Sequence, residues 1–94
     1  MALYTVILEY RGGTYSSQVT AESPRAALLS WATNLEASEI KHLGTSGKQR
    51  LIAGLKNDPI DRPVLLTGLR NVWCYSGPIS SMLIYIVRTE SATT

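Results

Sequence analysis

LYTVILEYRGGTYSSQVTA, residues Leu3 to Ala21, is the stretch that decides the fold. Two runs rich in β-branched and aromatic residues flank Gly12-Gly13. Two glycines suit a two-residue type I′ turn, because both central positions need positive φ. That turn predicts strands over Leu3 to Arg11 and Thr14 to Ala21. It pairs Tyr4 with Ala21, Val6 with Val19, Leu8 with Ser17 and Tyr10 with Tyr15. This face is mostly apolar. The opposite face, Thr5, Ile7, Glu9 and Arg11 against Thr20, Gln18, Ser16 and Thr14, is mostly polar. Such a pair has one wet side and one side that another element must cover.

The next residues supply a cover. Ser23 is a helix N-cap and Pro24 fits the first helical position, where its missing N–H costs nothing. Leu28, Trp31 and Leu35 then recur at spacings of three and four, with Ala27 and Ala32 beside them, which is a core-facing helical stripe. The stripe loses phase near Glu36-Ala37-Ser38, which predicts a separate helical turn over Glu39 to Leu43, stopped by Gly44. Ser46-Gly47-Lys48-Gln49 matches a capping box, predicting a second helix with Leu51, Ile52 and Leu55 on its apolar side. Asn57-Asp58-Pro59 ends it, because proline disfavours helical geometry in the residue before it. Asp58 to Pro63 reads as a loop.

The last third is strand again. Val64 to Tyr75 fits one strand bulged at Gly68, or two strands. Ser76-Gly77-Pro78 is a turn, and Met82 to Arg88 is the last strand. Both its faces are apolar, Met82/Ile84/Ile86 and Leu83/Tyr85/Val87, which predicts a central strand covered on each side. The fold class expected is α+β: an antiparallel sheet of four to five strands, in β-β-α-α-β-β order, with helices packed on one face. The second face calls for a homodimer stacking two sheets, or for C-terminal segments curling over it.

The 94 residues and 10.3 kDa allow one domain, residues 1–94, with Glu90 to Thr94 a disordered polar tail. Size scaling buries roughly 64% of the unfolded surface, enough for one modest core. Apolar residues make up 45% and charged ones 17%, which excludes a disordered or collagen-like chain. Cys74 is alone, so no intrachain disulfide forms, which fits a reducing compartment. One histidine and one cysteine make no conventional zinc site, so no metal and no cofactor are expected. No basic segment precedes the first apolar run, and the run from Met82 to Val87 is far below the ~20 residues of a membrane span. The expected address is cytoplasmic, with no membrane partner.

Charge is unevenly distributed. Residues 1–40 carry two arginines against four glutamates, a net −2, and residues 58–94 balance. Residues 41–57 hold Lys41, Lys48, Arg50 and Lys56 with no acid, a net +4. With His42, these form a candidate contact for an anion or for nucleic-acid phosphates. Gly44-Thr45-Ser46-Gly47-Lys48 departs from a phosphate-binding loop, which needs Gly where His42 stands, Ser or Thr where Gln49 stands, and a preceding strand. His42 reads as the end of a helical turn, where a cation is favoured.

In Asn71-Val72-Trp73-Cys74-Tyr75, alternation sets Val72 and Cys74 against Trp73 and Tyr75. If exposed, Trp73 and Tyr75 form a partner surface; if covered, core. Cys74 has no base beside it in sequence and reads as a small buried strand residue. Glu36/Glu39 and Asp58/Asp61 are carboxylate pairs three apart, in no evidently apolar setting. No catalytic set is predicted. The function expected is a small non-catalytic interaction or regulatory module, acting as a homodimer or with a protein partner. The alternative is a nucleic-acid-binding module using residues 41–57.

The opening unit, from Tyr4-Thr5-Val6-Ile7-Leu8 through Gly12-Gly13-Thr14-Tyr15 to Ser23-Pro24-Arg25-Ala26-Ala27-Leu28, resembles HicB-type antitoxin domains. Those also run strand, Gly-containing hairpin, strand and Ala/Leu helix. The likeness covers about a third of the chain. It lacks a Pro-Gly-Cys stretch before the helix and ends in a strand rather than an appended DNA-binding module, so no function is carried over.

Overall fold

The computed structural model describes residues 1–57, 64–65, 70–76, 79 and 81–89. Strands β1 (Ala2–Tyr10) and β2 (Gly13–Ala21) form the hairpin, followed by helix α1 (Pro24–Asn34), a 3₁₀ turn (Ala37–Glu39) and helix α2 (Gly44–Asn57). Strands β3 (Val64–Leu65), β4 (Val72–Ser76) and β5 (Met82–Thr89) complete it. The sheet order is β2-β1-β5-β4-β3, with every neighbour antiparallel. The doubly apolar last strand is therefore central, and residues 64–75 contain two strands. Gly68, the 58–63 loop, the Gly77-Pro78 turn and the 90–94 tail lie outside the described residues.

The hairpin register differs from expectation by two. Ala2 faces Ala21, Tyr4 faces Val19, Leu8 faces Tyr15 and Tyr10 faces Gly13. The turn is thus Arg11-Gly12, both with positive φ, +47° and +81°. A shift of two keeps every side chain on its own face. Tyr4, Val6, Leu8 and Tyr10 are accordingly buried, while Leu3, Thr5 and Ile7 are half-buried and Glu9 is exposed. Gly13 enters the strand because the Tyr15 ring lies over it, 2.7 Å from where a Cβ would stand. The Tyr15 hydroxyl also accepts the Lys41 backbone N–H at 3.1 Å, tying the hairpin to the connection before α2.

Helix α1 begins as its residues predict. The Ser23 hydroxyl accepts the Ala26 N–H at 3.1 Å, and Pro24 sits in the first turn. Ala27, Leu28, Trp31 and Ala32 are buried. At its end, Thr33 and Asn34 side chains bond back to the carbonyls of Leu29 and Ser30, offering the backbone an alternative to further helix. Leu35 is extended and half-buried.

Two local expectations are corrected. In place of one helical turn over Glu39 to Leu43, a 3₁₀ turn spans Ala37–Glu39 and a single hydrogen-bonded turn follows, with Leu43 N–H donating to the Ile40 carbonyl at 3.3 Å. Gly44 opens α2 rather than stopping a helix, so Ser46 stands inside the first turn and is no N-cap. Gly47 explains the earlier start. It is buried against Leu43, and a Cβ there would meet the Leu43 Cδ1 at 2.8 Å. Helix α2 packs on α1 and the 3₁₀ turn, while α1 crosses β2, β1 and β5. Arg25 joins the two helices by donating from Nη2 to the Leu55 carbonyl at 3.0 Å. That carbonyl is one of the last four of α2, which lack partners inside the helix. Among the described residues, no helix is long and apolar enough to cross a membrane.

Candidate interaction surfaces

The basic segment does not form one face. Lys41 and His42 are exposed in the turn before α2, Arg50 and Lys56 are exposed on the helix, and Lys48 is half-buried. At about 100° per residue, Lys48 and Lys56 fall on one flank of the buried Leu51–Leu55 stripe and Arg50 falls on the other. His42 has φ +69° and lies two residues before α2, not at a helix C-terminus. The dipole there gives its cation no advantage. Residues 44–48 follow a turn rather than a strand, so the phosphate-loop context is missing.

The aromatic segment is now assigned. Trp73 pairs with Ile86 and Tyr75 with Ile84, which places both on the helix side of the sheet. Tyr75 is 2% exposed, and half-buried Trp73 packs on the core with its ring 6.2 Å from that of Tyr4. Tyr75 is thus part of the core, and Trp73 packs against it from a partly buried position. Val72 and Cys74 take the other face, both half-buried. Desolvation pushes the Cys74 thiol above its ordinary value, the opposite of activation. His42 belongs to the helix layer, so the two are not brought together. Glu36 and Glu39 are exposed around the 3₁₀ turn, and Asp58 and Asp61 lie outside the described residues. Among the described residues, no three potential metal ligands converge.

The sheet face turned away from the helices divides in two. Over β2 it is polar, with Thr14, Ser16, Gln18 and Thr20 all exposed. Gln18 Nε2 donates to Thr5 Oγ1 at 3.1 Å, and the Thr5 and Thr89 hydroxyls bond to each other. Over the centre it is apolar: Ile7 on β1, Leu83, Tyr85 and Val87 on β5, Val72 and Cys74 on β4. Each is half-buried by its strand neighbours, and none belongs to the core cluster beneath the helices. The described C-terminal strands extend the sheet instead of curling over it.

Two clefts of about 250 and 200 Å³ run beside β2 on the helix side. They share Ser17, Trp31, Leu35 and Glu39. This feature escapes sequence reasoning, because it depends on β2 being outermost, and strand order has no local signal. A third hollow, about 440 Å³ and wide open, lies at the hairpin tip between Arg11 and Ser81. Compared with known proteins, the chain matches no family model, no curated protein and no solved structure.

Proposed function

We propose that this chain is a non-catalytic protein-interaction module that acts as a homodimer through the open face of its sheet. The observation that carries the reading is β5. It is the central strand and is apolar on both sides, and the described helices cover only one. Strands β1, β2 and β5, of eight or nine residues, and β4, of five, at about 4.8 Å spacing present roughly 500 Å² of flat area before side-chain relief. That is the scale of the ~800 Å² per partner of a stable interface. Tyr85 supplies a central aromatic anchor. A two-fold axis through this face would set each apolar half against its copy. A reducing, cytoplasmic setting belongs to the same proposal and draws on the single free Cys74.

Sedimentation across micromolar concentrations tests it. The wild-type chain should sediment at twice its monomer mass. Tyr85→Lys, which sets two cations together at the axis, should sediment as a folded monomer. A wild-type monomer at the highest concentration overturns the reading. Nucleic-acid binding through Lys41, His42, Lys48, Arg50 and Lys56 stands second, because α2 splits its cations between two flanks.

A further inference from the structure

We propose that the outer edge of β2 is a strand-addition site for an extended segment of a partner protein that carries apolar and basic side chains on one face. It does not depend on the homodimer reading and uses a different surface.

The first observation is the edge itself. The two-residue turn makes Tyr10 and Gly13 a hydrogen-bonded pair, so alternate residues of β2 bond to β1. The N–H and C=O groups of Thr14, Ser16, Gln18 and Thr20 then point outward. Among the described residues, none of them has a hydrogen-bond partner. Natural edges are commonly defended by charge, proline, a bulge or shortness. Strand β2 is nine residues long, GTYSSQVTA, with no charge and no proline. The opposite edge, β3, has two residues.

The second observation is the paired clefts. Ser16 and Gln18 help to line them although their side chains lie on the other face. The clefts therefore sit at the strand's edge, where an added strand would run. Trp31 forms their floor, and half-buried Leu35 and Val19 form apolar walls. Exposed Glu36 and Glu39 stand on the rim. Along an added strand, side chains on one face recur about every 7 Å. One would enter the apolar part of the clefts and the next would meet the carboxylates. Side chains on the other face would lie beside Thr14, Ser16, Gln18 and Thr20, where small polar residues fit. Recognition would join main-chain pairing with these side-chain choices.

Charge selects the occupant. If β2 paired with its own copy so that all four outward residues matched, the axis would pass at Ser17. The Glu36 and Glu39 of both copies would then flank that axis, and like charges disfavour it. Strand β2 brings no cation to offset them. A partner segment bearing Arg or Lys does.

The test uses a fluorescent peptide as long as β2, alternating Thr with Val and Arg, followed by anisotropy. Saturable binding is expected. Glu36→Lys with Glu39→Lys should weaken it about five- to tenfold. N-methylating alternate peptide amides should abolish it. Ser16→Pro should do the same, because it removes an outward N–H and leaves the β1–β2 bonds intact. Absence of binding, or binding indifferent to N-methylation and to charge reversal, overturns the proposal. So does a dimer that Ser16→Pro dissociates, which would assign the edge to self-pairing. Tyr85→Lys should leave peptide binding unchanged, so this proposal and the open-face dimer fail separately.

Discussion

Arg11→Asn should stabilise this chain. Arg11 occupies the first central position of the hairpin turn at φ +47°. Left-handed geometry brings the Cβ of an ordinary L-residue close to its carbonyl, at about 1–2 kcal/mol. Asparagine tolerates that region, and Asn-Gly is the favoured type I′ pair. Most of the strain is thus removed. Against this stands the Arg11 guanidinium, 5.7 Å from the centre of the Tyr10 ring, worth about 0.5 kcal/mol at an exposed site. The net gain is about 0.5–1 kcal/mol, which raises the melting temperature of a domain this size by roughly 2–8 °C. Thermal unfolding followed by circular dichroism reads it directly. The sign also reads the register. Were the turn Gly12-Gly13, Arg11 would be a strand residue, and asparagine, poor in strands, would lower stability by a few tenths of a kcal/mol. A lower melting temperature therefore refutes the reasoning. Gly13→Ala is the companion: its Cβ would displace the Tyr15 ring and weaken the bond from Lys41 N–H, so it should destabilise and increase amide exchange at Lys41.

Two more expectations follow from single side chains. Arg25→Ala should cost about 1–2 kcal/mol in urea unfolding, because the part-buried Leu55 carbonyl loses a charged donor; an unchanged midpoint would show that water replaces it. Cys74, whose thiol is pushed up by desolvation from 9.0, favours the protonated thiol in the folded state. Its contribution to stability is complete below that ordinary value and lost as pH rises through the raised one. Cys74→Ala should flatten that part of the alkaline stability curve, and an identical curve would remove the attribution.

Much of this architecture is written in local patterns. The two faces of the hairpin, the Ser23 cap and the doubly apolar β5 all follow from spacing alone. The register does not, because a shift of two residues leaves both faces intact and either Gly12-Gly13 or Arg11-Gly12 closes the turn. What settles it is tertiary: Tyr15 reaches Lys41 only from its observed place, and only glycine fits beneath its ring. The start of α2 is similar. Ser46 and Gln49 satisfy a local capping rule, yet the contact between Leu43 and Gly47 begins the helix three residues earlier. For the candidate surfaces, alternation separates Trp73 and Tyr75 from Val72 and Cys74. Which pair turns inward depends on where α1 lies, a relation no short window contains. The cleft beside β2 joins residues from three elements and is the least legible of all.

The central strand β5 pairs with β1, the strand farthest from it along the chain, with about seventy residues between Tyr10 and Met82. During translation the hairpin emerges first, and the partner that completes its core is not yet made. At ~5–20 residues per second the wait is about 4–14 s. Throughout it, the inner edge of β1, the most apolar strand of the hairpin, stays unpaired beside the ribosome. Substitutions that slow the docking of β5 are therefore expected to lower yield without altering the finished fold.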